Sequence, residues 1–435
     1  LGLSREKRGC WVVCMPPSMR CSFFRVALIA LLLVALLQLL YLSLLSNLHG
    51  QQQRSAYPVP VGTSHTGSQW HRELKEHLRA AKVGGILDSS GQYWIYRHLL
   101  PHEKGNWKDL DVVLASHASV NNLGHLQDLV QHWDGRISLA LFASNAVQAK
   151  LAVMFVYALS QLCPHVRQRV SFHLVCKSSD RVTFPELEDL SDFATLPNCE
   201  AVFSKAADMG IKVVNYAGNA SYPNNLLRNV ARAGIESAAY VLVVDIDMVP
   251  SEGLRSGFVN LATGGVDQHL VFVVPAFEIR HTRRLPSTKE ELMRLYQVGE
   301  VRAFYEELCP RCQAPTNYSL WINLPEKKPA AKLGVAYVVE WKDPWEPFYI
   351  GRADVPAYDE RFKQYGFNRI SQACELNMAG FSFAVLDSAF LLHKGHKLPG
   401  DFHSQKDAEN RRNRQLYRGF KEELRLRYPE SSRRC

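Results

Sequence analysis

Hydrophobic and polar positions between residues 111 and 274 follow two alternating rhythms. Short, nearly unbroken apolar runs occur at Asp111–Ser116, Ile137–Phe142, Val170–Cys176, Tyr240–Val244 and Leu270–Val274. They have strand length and are rich in β-branched side chains, which predicts strands buried on both faces. Between them, Asn121–Trp133 carries Leu123, Leu126, Leu129 and Val130 at helical spacing. Ala146–Leu162 predicts a second helix ending before Pro164, and Asn224–Ala233 a third, opened by Pro223 and closed by Gly234. Strands alternating with helices predict an α/β fold with a parallel sheet and right-handed crossovers, a Rossmann-like half. Beyond Val274 the chain is richer in Trp, Pro and Tyr, with short strands and long loops expected, and this second half reads as an acceptor-side half beside the Rossmann-like nucleotide half.

A different pattern occupies the amino-terminal region. Val26–Leu45 is an uncharged run of 20 residues in which Gln38, Tyr41 and Ser43 are the polar positions. At about 1.5 Å per residue such a helix spans roughly the 30 Å core of a bilayer. Arg5, Lys7, Arg8, Arg20 and Arg25 precede it, and no Lys or Arg follows until Arg54. The positive-inside rule then places residues 1–25 in the cytosol and the remainder in a lumen, as a single-pass type II anchor over 26–45. Residues 46–70 read as a flexible stem and 71–435 as one lumenal catalytic domain.

Lumenal placement changes the reading of other residues. Asn219-Ala-Ser221 and Asn317-Tyr-Ser319 are acceptor sequences for N-glycosylation. Cys163, Cys176, Cys199, Cys309, Cys312, Cys374 and Cys435 follow the span and are available for disulfides. Their odd number leaves one thiol over or one bond between chains, so a homodimer stays open. Cys309-Pro-Arg-Cys312 lacks a second cysteine pair, which favours a local disulfide or separate partners over zinc. The net charge of +9 sits partly on the cytosolic flank and on a basic, helical carboxy-terminal stretch. Nucleic acid is not a plausible lumenal partner, whereas anionic donors or glycans are.

The strand Tyr240–Val244 runs into Asp245, with Asp247 one residue further on. Side chains on extended backbone repeat with period two, so both carboxylates are expected on one face. Two hard oxygen ligands hold a divalent cation and leave coordination positions for a diphosphate. The carboxyl end of a strand in an open α/β sheet is where such ligands bind. Asp-x-Asp in this setting is the arrangement of nucleotide-sugar glycosyltransferases; the alternative is an acidic pair in a solvated turn.

Several longer motifs point the same way. Ser221–Asn229 (SYPNNLLRN), Val244–Ser251 (VDIDMVPS), Val274–Arg280 (VPAFEIR), Asp343–Phe348 (DPWEPF), Tyr358–Asn368 (YDERFKQYGFN) and Leu392–Gly395 (LHKG) occur in that order. Together they resemble the β-1,4-glucuronyltransferase family, glycosyltransferase family 49, over essentially the whole chain. The resemblance implies a GT-A fold, a UDP-glucuronic acid donor, Mn²⁺ and a Golgi membrane location. It also implies a β-xylose acceptor on the O-mannosyl glycan of a glycoprotein, with inversion at the donor's anomeric carbon.

Under that resemblance Asp245 and Asp247 hold Mn²⁺, one of them through water, and His393, after the apolar run Ala389–Leu392, is the third ligand. Lys394, His396 and Lys397 are candidates for phosphate. Ser116 and His117 lie just past the first expected strand, where uridine and ribose would bind. Asn225, Arg228 and Asn229, on the helix before Asp245, are candidates for donor or acceptor binding. Arg228 is a fork for the diphosphate or the glucuronate carboxylate, and the asparagines are otherwise capping and surface residues. Glu278, Trp345 and Glu346 are read as lining the sugar sites, with core packing as the other reading of Trp345. An inverting transfer needs a carboxylate base. Related galactosyltransferases carry Gly-Glu-Asp where this chain has Phe367-Asn368-Arg369, so that assignment does not carry over. Glu346, then Asp359 and Glu375, are the remaining candidates. Two further readings stay open: another lumenal Mn²⁺-dependent UDP-sugar transferase, such as a poly-N-acetyllactosamine β-1,3-N-acetylglucosaminyltransferase, and a non-catalytic scaffold for another glycosyltransferase.

Overall fold

The computed structural model describes residues 28–41, 76–77, 79–80, 84–103, 105, 107–179, 195–212, 221–235, 237–325, 333–398, 400 and 404–435. The chain divides into two units, residues 1–66 and 67–435. In the first, residues 28–41 form a helix whose apolar side chains are exposed. The rest of the expected 26–45 span lies outside the described residues, and among those described no helix is long and apolar enough to cross a membrane. Asn219 also lies outside them.

Among the described residues the second unit has fourteen strands in two sheets, numbered in chain order. The ten-stranded sheet takes β1 (Ile86–Leu87), β2 (Tyr93–Leu100), β3 (Val112–Ser119), β4 (Ile137–Ala143), β5 (Val170–Lys177), β6 (Tyr240–Asp245), β8 (Leu270–Val273), β11 (Val335–Val339), β12 (Tyr349–Arg352) and β13 (Ser382–Leu386). The four-stranded sheet takes β7 (Met248–Pro250), β9 (Ala276–Ile279), β10 (Val301–Ala303) and β14 (Leu391–Lys394). Strands β5, β4, β3 and β6 are consecutive and parallel, as the alternating pattern predicts. The sheet as a whole is mixed, because β12 inserts antiparallel between β6 and β8. Part of the second half therefore extends the first sheet instead of forming a separate layer.

The unbroken apolar runs have a direct structural reason. Leu114, Leu242 and Val244 face one core, while Ala115, Val241 and Val243 face another. Strand side chains alternate between faces, and both faces are covered, so neither parity can be polar. Helices Leu126–His132 (α1) and Ala146–Leu162 (α2) cover the first face, and Asn224–Ala233 (α3) covers the second through Leu226, Leu227, Val230 and Ala231. The predicted α2 and α3 match the structure. The expected Asn121–Trp133 helix is instead a 3₁₀ segment, Val120–His125, followed by α1. Asn145 caps α2 by accepting from the Gln148 amide at 2.9 Å.

Two later helices complete the fold around the cleft: Asn368–Met378 (α4) and Lys406–Arg427 (α5). The basic, helical carboxy-terminal stretch is α5. It buries Tyr417, Phe420 and Leu424 against a core that also contains Trp345 and Phe362. Disulfides join Cys163 to Cys199, Cys309 to Cys312 and Cys374 to Cys435. Among the described residues Cys176 is in no disulfide and is buried on β5, 2 % exposed.

Candidate active site

β6 ends at Asp245 and the chain turns at Ile246 and Asp247 before β7. Asp247 is thus placed by a turn and not by continued strand alternation, which corrects the simple period-two expectation. Its partner comes from the second sheet. β14 runs antiparallel to β7 with His393 opposite Met248, so His393 lies beside the preceding Asp247. His393 Nε2 is 3.1 Å from Asp247 Oδ2, and its Nδ1 is 2.7 Å from the Gly395 carbonyl. The ring is thus fixed by the Gly395 carbonyl on one side and directs Nε2 at the Asp247 carboxylate on the other. Lys397 Nζ approaches the same Asp247 oxygen at 3.6 Å. The other oxygen, Oδ1, is buried with no hydrogen-bond partner among the described residues.

Asp245 is held from three sides. Arg228 donates to Oδ1 at 2.8 Å and Arg369 to Oδ2 at 2.9 Å. His117 pairs with Asp245 across the β3–β6 ladder, its Nε2 3.4 Å from Oδ1. Burial alone would raise the Asp245 carboxyl; Arg369 and Arg228, with His117, override it and hold the group well below the usual carboxylate range. Burial is likewise overridden at Asp247 by Lys397 and His393. Both aspartates are ionised at neutral pH. His117, whose Nδ1 lies 2.8 Å from the Tyr222 hydroxyl, is pushed down by burial and stays neutral.

Asp245 opens onto a cleft of about 560 Å³ lined also by Tyr305, Cys312, Glu346, Arg369 and Lys397. Glu346 is 9 % exposed, and its carboxylate lies 3.8 Å from Arg369 Nε. Burial raises its pKa, with Arg369 partly opposing. One chamber therefore contains an ionised carboxylate and a carboxyl of raised proton affinity, the separation that acid–base chemistry requires.

Among the described residues, no cluster of three or more His, Cys, Asp or Glu side chains is arranged to hold a metal ion as it stands. The donor set nonetheless fits a hard divalent cation. Asp247 offers a buried oxygen with no other partner, His393 offers a ring nitrogen beside it, and Asp245 is close by. Both Asp245 oxygens are engaged by guanidinium groups, so Asp247 and His393 present the less encumbered donors to a cation.

Several residues expected to touch substrate are structural instead. Asn225 is fully buried, donates to the Asp359 and Asn368 carbonyls at 2.8 and 3.1 Å, and accepts from Arg228. Arg228 also reaches Asn368 Oδ1 and lines the cleft, where its guanidinium orients Asp245. Asn229 bonds the Tyr358 backbone through both amide atoms. These asparagines therefore clamp α3 to the 358–368 loop, a role different from both the expected substrate contact and the alternative of capping and surface. Glu278 is fully buried and accepts from Arg302, the Tyr305 amide and the Lys397 amide, leaving nothing for a sugar. Trp345 is fully buried, with its Nε1 on Thr316 Oγ1 at 3.1 Å, and packs on Phe383. Ser116 lies inside β3, which runs three residues further than expected, and is 1 % exposed. Asp359 is held by Arg361, and Glu375 by Arg427 and Tyr428; neither lines the cleft. Among the base candidates only Glu346 does. Lys394 pairs with Asp128, while Lys397 is at the site. Asn317 is exposed, and its side chain caps a short helix through the Leu320 amide.

Arg369 escaped sequence reasoning. It stands where related enzymes have an acid, and that substitution was its only signal. Asn225→Ala should lower stability by about 2 kcal/mol, since it strips partners from two buried carbonyls and a buried guanidinium. Chemical denaturation of the variant checks this; an unchanged midpoint would refute the clamp.

Comparison with known proteins places the chain in a family. The profile of a family described as glycosyl-transferase for dystroglycan matches residues 111–429. The chain is 52 % identical to β-1,4-glucuronyltransferase 1 of Danio rerio over 434 residues, 96 % of this chain and 99 % of that protein. It is 53 % identical to the Homo sapiens protein of the same name over 371 residues, 83 % of this chain and 86 % of that one. With xylosyl- and glucuronyltransferase LARGE2s of Gallus gallus it shares 31 % identity over 289 residues, 66 % of this chain and 32 % of that protein. A match of this extent, carried by a chain whose Asp-x-Asp lies at a strand end beside a histidine and a buried carboxyl, makes this protein a member of the family of glycosyl-transferases for dystroglycan.

Proposed function

We propose that this chain is an inverting, Mn²⁺-dependent transferase of GT-A architecture. It moves glucuronate from UDP-glucuronic acid to the 4-hydroxyl of a β-xylose on an O-mannosyl glycan. The work is done in the Golgi lumen, behind an anchor over residues 26–45, with Asn219 and Asn317 as glycan acceptors. The linkage and the sugar are those named for the relative that is 52 % identical over nearly the full length. The observation that carries the reading is the partnerless, buried Asp247 Oδ1 beside His393.

Asp247 and His393 would hold the cation, with Asp245 reaching it through water. Bound Mn²⁺ supplies Lewis-acid stabilisation of the diphosphate leaving charge. Arg228 and Arg369 fix the Asp245 carboxylate in one orientation, so little reorganisation remains when substrate binds. Lys397 adds positive charge beside Asp247 for the departing phosphates. Glu346 takes the proton of the acceptor hydroxyl, its affinity raised by burial. Inversion follows if the hydroxyl attacks from the face opposite the leaving diphosphate.

A donor screen tests the assignment. Full-length protein in detergent, with Mn²⁺ and a β-xyloside, should release UDP from UDP-glucuronic acid alone, and chelator should abolish the release. Preference for UDP-N-acetylglucosamine would replace this reading with the lactosamine one. Silence with every donor would favour a scaffold.

A further inference from the structure

The Cys309–Cys312 disulfide lines the same cleft as Asp245 and Glu346. The other two disulfides do not line it, and they close much longer stretches, with sequence separations of 36 and 61 against 3. Cross-linking a short loop removes little chain entropy, so this bond contributes least to holding the fold together. Cys309 is half-buried in the cleft lining, accessible to a small thiol; Cys312 is 7 % exposed.

Its neighbours tie it to Glu346. The Glu346 amide donates to the Cys312 carbonyl at 3.0 Å, and Gln313 Nε2 donates to the Glu346 carbonyl at 3.2 Å. Both backbone groups of Glu346 are therefore held by Cys312 and the residue after it. On the other side, the Cys309 amide donates to the Tyr305 carbonyl at 2.9 Å, and Tyr305 also lines the cleft. The four-residue Cys-Pro-Arg-Cys loop is thus braced between a cleft tyrosine and the cleft carboxyl.

We propose that this disulfide is a reducible modification site that sets the position of Glu346, so that its reduction by a dithiol lowers the transfer rate. The inference rests on the proposed role of Glu346 as the base. In the reduction the S–S bond breaks and two cysteine thiols form. Two electrons and two protons come from the dithiol, which leaves as its own cyclic disulfide. Once opened, the loop no longer fixes the Cys312 carbonyl, and Glu346 loses its register against the acceptor hydroxyl. A misplacement of about 1 Å at such a group costs on the order of 10²-fold in rate. Cys309 and Cys312 act as positioning residues and not as chemical participants.

The test titrates the full-length protein with dithiothreitol, traps thiols with an alkylating label, and reads transfer in parallel. Expected is labelling of Cys309 and Cys312 before the other disulfide cysteines. With it kcat should fall ten-fold or more, donor KM should stay unchanged, and activity should return on reoxidation. The double variant Cys309→Ser/Cys312→Ser should sit at the reduced rate and ignore dithiothreitol. Full labelling of the pair with kcat unchanged overturns the proposal. So does a loss that follows labelling of Cys163, Cys199, Cys374 or Cys435, or a fall in thermal midpoint of the same extent. Glu346→Gln separates the two readings: if it is inactive while reduction has no effect, this inference alone fails. If it is fully active, the base assignment fails and the route through Glu346 fails with it.

Discussion

Asp247→Asn is expected to lower kcat by about 10³-fold or more and to abolish Mn²⁺ binding measured by calorimetry. A Lewis acid at the leaving group contributes several kcal/mol, and each 1.36 kcal/mol is about a tenfold change in rate. The expectation falls on Asp247 because its Oδ1 is the buried carboxylate oxygen at the site without a protein partner. Asp245→Asn should behave differently. Its carboxylate sits between Arg228 and Arg369, whose side chains are 3 % and 9 % exposed. Removing that charge leaves two buried guanidinium groups facing a neutral amide, a loss of about 3 kcal/mol. Thermal denaturation should therefore show a clear fall for Asp245→Asn and a small one for Asp247→Asn. Equal Mn²⁺ affinity in Asp247→Asn and the parent would rule out the metal assignment.

Glu346→Gln should reduce kcat by about 10²- to 10⁴-fold, the usual contribution of a general base, while raising thermal stability at neutral pH. The sign follows from its environment. Burial raises the folded pKa above the unfolded one, so the folded state binds the proton more tightly. Stability then falls as pH rises through the unfolded value and on through the raised folded value, and the whole cost is present above both. Glutamine carries no such cost. The stability gain should vanish below about pH 4, where the glutamate is protonated in both states. Arg369 keeps its bond to Asp245 in the variant, so no guanidinium is left without an anion. The acidic limb of the kcat profile in the parent should lie above the ordinary glutamate range. Retained activity, or a destabilised variant at neutral pH, would remove Glu346 from the mechanism.

Local sequence was sufficient for most elements of the nucleotide-binding half. α2 and α3 were legible from periodicity, capping and the flanking Pro and Gly, and β3, β4, β5 and β6 from runs that must be apolar at both parities. Asp245 at a strand end was legible for the same reason. The errors arise where neighbours far apart in sequence decide a side chain's role. Asn225, Glu278 and Trp345 stand in motifs that resemble substrate contacts, yet each is fully buried with its polar atoms satisfied. Whether a polar side chain faces ligand or backbone depends on what packs over it, and no local pattern records that.

The site itself was partly written in the chain and partly made by folding. The residue types, two aspartates, a histidine after an apolar run and a Trp-Glu loop, can be read directly. Their assembly cannot. His393 meets Asp247 because β14 pairs with β7 in one register, across a separation of 146 residues. Arg369 reaches Asp245 from the start of α4, 124 residues away, and Arg228 from α3. Periodicity and capping act over a few residues and settle which elements form. Strand register and helix packing act between distant segments, and they alone settle which charges share one low-dielectric cleft, and so which carboxylates are held ionised and which has its proton affinity raised.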